Sequence, residues 1–155
     1  MPLVEPGRKA PAFALPDQDG KIHRLRDYAG RPLILYFYPK DDTPGCTREA
    51  CAFRDALPGF KKGRAAVLGV SVLDTASKAR FARKHELNFP LLADPEHAVA
   101  DKYGVWQKKS LYGRTYMGLA RTTYLIGPDG KVARRWDSVK VDGHAADVLR
   151  AVGEL

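Results

Sequence analysis

The sequence predicts an α/β fold with a mixed central sheet flanked by helices and an N-terminal β-hairpin. Apolar, strand-like runs alternate with helix-forming segments through most of the chain, and this alternation is typical of α/β proteins. Near the C-terminus two strand-like segments follow each other around a tight turn, so the sheet gains an antiparallel pair and becomes mixed. The 155 residues are enough for a hydrophobic core and predict one domain, 1–155.

The first half of the chain carries the clearest signals. Residues 12–15 and 22–25 flank a turn-rich segment and predict the N-terminal hairpin. Residues 33–38 form a continuous apolar run, which is typical of a strand covered on both faces. A loop rich in Pro, Thr and Gly follows, and the helix-forming residues begin at Cys46. We expect this helix to kink or end near Pro58, because proline lacks the N–H that continues a helix.

The second half repeats the pattern. Residues 66–72 predict a second buried strand, and Thr75 can cap a helix that runs to about Leu87. A short strand at residues 90–93 and a short helix at residues 97–103 follow. Residues 122–136 then predict a hairpin whose turn lies at residues 127–130. The last helix is predicted by four residues that share one apolar face, namely Ala145, Val148, Leu149 and Val152.

Composition and charge argue against several classes of protein. The formal net charge is +8, but the basic residues are scattered among acids, and no stripe of basic and aromatic residues typical of nucleic-acid binding is present. We therefore expect no nucleic-acid partner and assign the basic clusters, including the one at Lys78, to solvated helix and loop faces. No stretch has the length and apolar character of a membrane span, and the N-terminus lacks the apolar core of a signal peptide. These features predict a cytoplasmic protein with no membrane partner.

Cys46 is the most informative residue, because its thiol follows a buried strand and opens a helix. In the first helical turn it lies among N–H groups that have no partner within the helix, at the positive end of the helix dipole. Both features favour an anion, and the thiolate is the nucleophilic form of cysteine. The position therefore predicts a reactive cysteine. A strand followed by a helix that opens with such a cysteine is the thioredoxin-like arrangement.

Cys51 lies five positions further along the same predicted helix. Residues five apart in an α-helix have Cα atoms roughly 8–9 Å apart and point to different faces, whereas a disulfide needs Cα atoms within about 7 Å. Either the two thiols never bond, or bonding requires the first helical turns to unwind. The second alternative is a redox switch with an attacking thiol and a resolving partner. The first leaves Cys51 as a small residue packed in the core.

The segment around Cys46 resembles the peroxiredoxins. Pro39, Thr43 and Cys46 match the peroxidatic Pro-x-x-x-Thr-x-x-Cys motif of that family. The longer string from Phe37 to Cys51 resembles its PrxQ branch, also called bacterioferritin comigratory protein. Shorter matches extend over nearly the whole chain, at residues 69–71, 89–94, 103–106, 118–123 and 141–144.

Two positions depart from the family pattern. Gly127 replaces a common acid, and Leu73 interrupts the usual Gly-Val-Ser-x-Asp spacing before Asp74. Neither position belongs to the motif around the reactive cysteine, so the implied chemistry is unaffected.

The resemblance implies a thiol-dependent peroxidase that reduces hydrogen peroxide and organic hydroperoxides. It implies that Cys46 is the peroxidatic cysteine and that Cys51 is the resolving cysteine of an intramolecular disulfide. Thioredoxin or a glutaredoxin-like dithiol donor would then return the disulfide to thiols. The implied enzyme is a monomer without a cofactor. The four histidines fit no metal-ligand spacing with the cysteines, so we expect no metal site.

The resemblance also implies roles for residues around the thiol. Arg121 matches the family's active-site arginine, and its charged planar fork suits both a thiolate and a peroxide oxygen. Thr43 is expected to accept a hydrogen bond from the peroxide while donating toward the thiolate. Pro39 is expected to shape the pocket and shield it from water. The N–H groups of Gly45 and Cys46 complete an anion-binding nest.

Two other classes remain open from the residues alone. One is a general dithiol–disulfide oxidoreductase, although that chemistry usually carries Cys-x-x-Cys. The other is a non-catalytic redox sensor or holdase chaperone that uses the same cysteines. Insulin reduction without peroxide turnover would indicate the first, and stoichiometric loss of peroxide would indicate the second.

Overall fold

A computed structural model describes all 155 residues, and it contains a five-stranded mixed sheet and two separate two-stranded sheets. The strands are β1 Ala14–Pro16, β2 Ile22–Arg24, β3 Leu33–Phe37, β4 Ala66–Ser71, β5 Leu91–Ala93, β6 Trp106–Leu111, β7 Arg114–Leu119, β8 Thr122–Ile126 and β9 Val132–Trp136. The helices are α1 Pro44–Lys62, α2 Thr75–Lys84, α3 Ala98–Lys102 and α4 His144–Gly153, with a short 3-10 helix at Leu25–Tyr28. The predicted α/β class, mixed sheet and N-terminal hairpin are confirmed.

Strand β3 lies at the centre of the main sheet, whose order is β5-β4-β3-β8-β9. It pairs parallel with β4 and antiparallel with β8, and all five of its residues are buried. Successive side chains alternate between two cores. Ile34 and Tyr36 pack with residues of α1 and α4, whereas Leu35 and Phe37 pack with residues on the other face of the sheet. This two-sided burial explains the continuous apolar run in the sequence.

The strand register positions the ends of β3 and β8 side by side. Phe37, the last residue of β3, pairs with Thr122, the first residue of β8. Arg121 directly precedes β8, so it lies at the sheet edge where the loop after β3 leads into α1.

Gly69 on β4 provides room for a side chain that connects the sheet to α1. A Cβ at this position would lie 2.8 Å from Cζ of Tyr36 on the neighbouring strand, a distance shorter than side chains tolerate. The Tyr36 ring stacks on Phe53 of α1 with ring centroids 4.7 Å apart. The absence of a side chain at Gly69 therefore allows α1 to pack closely on the sheet.

Helix α1 runs through Pro58 to Lys62. Of the two predicted alternatives, a kink or an end near Pro58, the end is therefore wrong. Pro58 cannot donate to the carbonyl of Arg54, four residues earlier. That carbonyl instead accepts a hydrogen bond from Nδ2 of Asn88 at 3.3 Å. Phe60 beyond the proline is fully buried, and its packing helps to keep the last turn in place.

Helix α2 differs from its prediction at both ends. Asp74, rather than Thr75, is the N-cap, and its side chain accepts a hydrogen bond from the backbone N–H of Ser77 at 2.9 Å. The helix ends at Lys84 because Glu86 adopts a φ of 51°, which is incompatible with a right-handed helix. The expected continuation to about Leu87 is therefore wrong by one turn.

The hairpin formed by β6 and β7 has no counterpart in the sequence-based prediction. Its residues are mostly half-buried or exposed and polar, so they show no apolar alternation that would indicate a strand. The turn residues Tyr112 and Gly113 both have positive φ values, 51° and 77°, as in tight hairpin turns. The hairpin ends two residues before Arg121 and so delivers that residue to the sheet edge.

Candidate active site at the start of helix α1

The first turn of α1 offers unpaired N–H groups. Thr43 is the N-cap in an extended conformation, and Pro44 occupies the first helical position, where its missing N–H removes no helical bond. The N–H of Thr47 donates to the carbonyl of Thr43 at 2.8 Å. The N–H groups of Gly45 and Cys46 precede this bond and lie at the positive end of the helix dipole.

Cys46 lies at this helix start with only 1% of its surface exposed. Nη2 of Arg121 donates to its sulfur at 3.2 Å. A Cβ on Gly45 would lie 3.3 Å from the same nitrogen, so any larger residue at this position would crowd the guanidinium. The structure brings together Cys46 and Arg121, two residues that the sequence predicts for the site.

Glu49 holds the other side of the Arg121 guanidinium, and sequence reasoning missed it. Nη1 of Arg121 donates to Oε1 of Glu49 at 2.7 Å. Glu49 follows Cys46 by three positions, and residues three apart share a helix face, so the spacing was the available signal. The arginine is thus held between two side chains of the same helix.

Burial sets the electrostatics of Glu49. Desolvation raises its pKa to about 7, and the charge and hydrogen bond of Arg121 offset only part of this change. The second oxygen, Oε2, has no hydrogen-bond partner. Burial lowers the pKa of Arg121, but the nearby charges of Glu49 and Cys46 outweigh burial and raise it. The guanidinium therefore stays charged beside the thiol.

Thr43 and Pro39 lie in the loop between β3 and α1, and both are half-buried. The Thr43 hydroxyl donates to the carbonyl of Lys40 at 2.9 Å, whereas the sequence-based expectation has it donating toward the thiolate. With its proton engaged by Lys40, the hydroxyl oxygen keeps its lone pairs for accepting a hydrogen bond.

The two aspartates of this loop are both paired with basic groups. Asp41 is buried and lies 3.2 Å from Nζ of Lys78. Asp42 is exposed and lies 2.8 Å from Lys84 and 2.9 Å from His85. Their negative charges, which could oppose a thiolate, are thus balanced within the loop and the end of α2.

Cys51 is half-buried on the same unbroken helix as Cys46, and both thiols are free. The five-residue spacing in a regular helix keeps their Cα atoms roughly 8–9 Å apart. A disulfide between them is incompatible with this conformation of α1.

Lys109 on β6 supplies a second cation that sequence reasoning missed. Burial lowers its pKa, the Arg121 charge lowers it further, and the Cys46 charge opposes both effects. Its side chain crosses Gly118, where a Cβ would lie 3.3 Å from Cδ of Lys109. No local signal singles out Lys109, because its placement depends on the unpredicted hairpin.

The raised pKa of Glu49 predicts a pH dependence of stability. The folded protein keeps the Glu49 proton up to about pH 7, whereas an unperturbed glutamate releases it near pH 4.5. Stability from this group is therefore complete below pH 4.5 and is lost as pH rises through 7. Glu49→Gln removes the effect, so the free energy of unfolding of the variant minus that of the wild type should increase by about 3 kcal/mol between pH 4 and 8.

Urea denaturation of both reduced proteins across this range provides the measurement. Burial lowers the pKa of His144 to about 4, so this residue makes the free energy of unfolding rise between pH 4 and 6.5. Both proteins contain His144, so its contribution cancels in the difference. Parallel stability profiles would show that Glu49 is not the responsible group.

Comparisons with known proteins agree with this geometry. Residues 6–135 match the AhpC/TSA family. The chain is 44% identical to peroxiredoxin Bcp of Escherichia coli over 99% of both chains, and 42% identical to peroxiredoxin Bcp of Bacillus subtilis over 98% and 97%. The bacterioferritin comigratory protein of Xanthomonas campestris, studied for its alkyl peroxide reduction activity, superposes with a TM-score of 0.91 at 38% identity, covering 97% and 98% of the two chains. This chain therefore belongs to the AhpC/TSA family and, within it, to the Bcp (PrxQ) peroxiredoxins, which are thiol peroxidases.

Proposed function

We propose that this peroxiredoxin reduces hydrogen peroxide and organic hydroperoxides with Cys46 as the peroxidatic cysteine and Cys51 as the resolving cysteine. The observation that carries the proposal is the 3.2 Å contact between Arg121 and the Cys46 sulfur at a helix N-terminus. Organic hydroperoxides are included because the Xanthomonas campestris relative reduces alkyl peroxides.

In the first step the Cys46 thiolate attacks one peroxide oxygen and breaks the O–O bond. The sulfur is oxidised to sulfenic acid, and the other oxygen leaves as an alkoxide or hydroxide that takes up a proton to become an alcohol or water. Negative charge moves from the sulfur to the leaving oxygen. Arg121 and the N–H groups of Gly45 and Cys46 are donors already directed at this region, so they stabilise the charge without reorganising.

Thr43 and Pro39 complete the proposed pocket. The Thr43 hydroxyl donates a hydrogen bond to the backbone carbonyl of Lys40, which leaves its oxygen free to accept a hydrogen bond from the peroxide O–H. Pro39 has no N–H and excludes water from the side of the loop that precedes the helix. Both residues thereby favour the peroxide over water beside the thiol.

In the second step the Cys51 thiolate attacks the sulfenic sulfur of Cys46. A disulfide forms, the S–O bond breaks, and the sulfenic oxygen leaves as hydroxide, which takes up a proton to become water. A dithiol donor such as thioredoxin or a glutaredoxin-like protein then attacks the disulfide, so that the donor is oxidised and both cysteines return to thiols. No cofactor or metal takes part in this cycle.

We propose that the enzyme works as a monomer in the cytoplasm. All five named catalytic residues come from one chain, and a cycle through free thiols needs a compartment in which dithiol donors stay reduced. No helix combines the length and hydrophobicity needed to cross a bilayer.

The cysteine roles predict distinct behaviour for the two cysteine variants. Cys46→Ser should lose essentially all peroxide turnover with thioredoxin and thioredoxin reductase. Cys51→Ser should lose turnover but keep single-turnover reduction of peroxide, and it should accumulate sulfenic acid at Cys46. Dimedone labelling followed by mass spectrometry detects that product. If the two variants exchange these behaviours, the cysteine roles are reversed.

That same steady-state assay separates the alternative functions. Catalytic peroxide turnover supports the peroxidase. Peroxide loss that stops at one equivalent in the presence of the reductase system would indicate a sensor. Insulin reduction without peroxide turnover would indicate a general oxidoreductase.

The Arg121 contact predicts the effect of removing the guanidinium. Arg121→Ala should slow the reaction of Cys46 with peroxide more than tenfold, about 1.4 kcal/mol of barrier. Arg121→Lys should restore only part of the rate, because an ammonium lacks the planar fork that reaches Cys46 and Glu49 together. Stopped-flow measurement with excess peroxide gives the rate constants.

Arg121→Ala also leaves Glu49 buried without its partner, so Arg121→Ala/Glu49→Gln is the matched control. The double variant no longer contains the unpaired carboxyl group, but it still lacks the Arg121 cation. Its reaction with peroxide should therefore remain slow. An unchanged rate constant in Arg121→Ala would remove this residue from the mechanism.

The proposed disulfide predicts that α1 unwinds on oxidation. Hydrogen exchange of the amides from Cys46 to about Phe53 should become markedly faster in the oxidised protein, because the Cys46–Cys51 bond cannot form within the helix. The amides from Leu57 to Lys62 serve as an internal control and should keep their protection. Equal protection of residues 46–53 in both redox states, with the disulfide verified by mass spectrometry, would contradict the unwinding.

A further inference from the structure

Lys78 belongs to the basic residues that the sequence assigns to solvated faces, yet its side chain is completely buried. Its Nζ lies 2.6 Å from Oγ of Ser71 and 3.2 and 3.4 Å from the two carboxylate oxygens of Asp41. Burial lowers the pKa of Lys78, and the Asp41 charge opposes that change. Lysine is almost never fully buried unless it is paired, so Lys78 and Asp41 depend on each other.

Asp41 is held from three sides. Besides Lys78, the hydroxyl of Tyr38 donates to its Oδ1 at 2.5 Å, and the hydroxyl of Ser77 donates to its Oδ2 at 2.7 Å. Tyr38 directly follows β3, and Ser77 and Lys78 belong to α2. The carboxylate therefore ties the loop after β3 to α2 through a network in which both of its oxygens are bonded.

The hydrogen-bond network around Asp41 restrains the loop that forms the proposed peroxide pocket. Asp41 lies two residues before Thr43 and five before Cys46. The next residue, Asp42, has a φ of 60°, a conformation that side-chain-bearing residues seldom adopt. Such a conformation persists only where the surroundings restrain it. The Asp42 side chain is paired with Lys84 and His85, and the buried Asp41 restrains the backbone directly before it.

We propose that Lys78 is a positioning residue that, by fixing Asp41, sets residues 39–43 against the Cys46 thiol. The inference rests on the proposed function, in which Pro39 and Thr43 shape the peroxide pocket. A buried ion pair adds little net stability over apolar packing, but it fixes position, because either charge is unfavourable without the other. Asp41 also lies outside the segment that unwinds, so it keeps one end of that segment in place through the catalytic cycle.

The test compares two electrophiles on the Cys51→Ser protein, in which Cys46 is the only thiol. Lys78→Met keeps a long flexible side chain but removes the charge. It should lower the rate constant with hydrogen peroxide at least tenfold, because peroxide has to be aligned by the loop. Alkylation by iodoacetamide needs the thiolate and access to it but no alignment of an O–O bond, so its rate constant should not fall with that of peroxide.

Two further variants control the experiment. Arg80→Met removes an exposed cation from the same helix and should leave both rate constants unchanged. Asp41→Asn/Lys78→Met removes the orphaned carboxylate while the amide oxygen still accepts a hydrogen bond, so the peroxide rate constant should recover at least threefold over Lys78→Met. If Lys78 contributes only stability, the peroxide rate constant of the folded protein should be the same in the parent, Lys78→Met and Asp41→Asn/Lys78→Met.

The milder Ser77→Ala serves if Lys78→Met does not fold. It removes one of the hydrogen bonds to Asp41 and should slow the peroxide reaction three- to fivefold with unchanged alkylation. A folded Lys78→Met protein with the parent's peroxide rate constant overturns the proposal, and so does a parallel fall of both rate constants. A parent Cys46 that does not react with peroxide at all overturns the proposed function, and this positioning role with it.

Discussion

The contact between the Arg121 guanidinium and the Cys46 sulfur is the interaction on which the rest of the site depends. This contact requires that a cation is fixed beside a helix N-terminus, and separate parts of the chain hold the arginine in that place. The register of β3 and β8 places Arg121 at the edge where α1 begins. Gly45 leaves room for the guanidinium, and Glu49 holds its other nitrogen. Each of these features is common in proteins, and together they restrict the Arg121 guanidinium to one position beside the thiol.

Holding the arginine in this way leaves polar atoms without partners. Oε2 of Glu49 and the hydroxyl of Tyr36 are both buried and make no hydrogen bond. Burial raises the pKa of Tyr36 well above its usual range, and the charges of Glu49 and Cys46 raise it further, so the hydroxyl stays protonated beside the site. Unsatisfied buried groups are uncommon in proteins and unfavourable.

The parts of the site that could be predicted from sequence are those encoded locally. The strand β3 and the reactive position of Cys46 follow from a short apolar run, a turn-rich loop and a helix start. Arg121 lies 75 residues from Cys46, and only the family resemblance linked them. Lys78 was assigned to the surface because its burial depends on Asp41, 37 residues away. Spacing along one helix could have indicated Glu49, but its pairing with Arg121 depends on the tertiary fold.

Backbone predictions failed for a related reason. The hairpin of β6 and β7 carries no apolar alternation, because it packs little of its surface against the core. Pro58 predicted a kink or an end of the helix, but the helix continues, and Asn88 satisfies the carbonyl that the proline leaves free. For Pro58 a distant contact overrides the local pattern, and for the hairpin of β6 and β7 the lack of core contacts leaves no local pattern to recognise.

Helix α1 is held unequally along its length, and this asymmetry determines where it can unwind. Its first turn has no side-chain cap, and from Cys46 to Ala52 the buried residues are Cys46, Glu49 and the small Ala50. Phe53 and Phe60 are fully buried large side chains, whose exposure would cost about 1.5–3 kcal/mol each. We therefore expect the proposed unwinding, which starts at the N-terminus of α1, to stop near Phe53.

Glu49 adds a pH dependence to that unwinding. In the folded turn its pKa is about 7, whereas an unperturbed glutamate titrates near 4.5. Unwinding near neutral pH thus lets the protonated carboxyl group of Glu49 release its proton to water, which makes the folded turn less favourable as pH rises. The side chain that holds Arg121 against the thiol in the folded helix therefore also favours the unwinding that we propose for the oxidised protein.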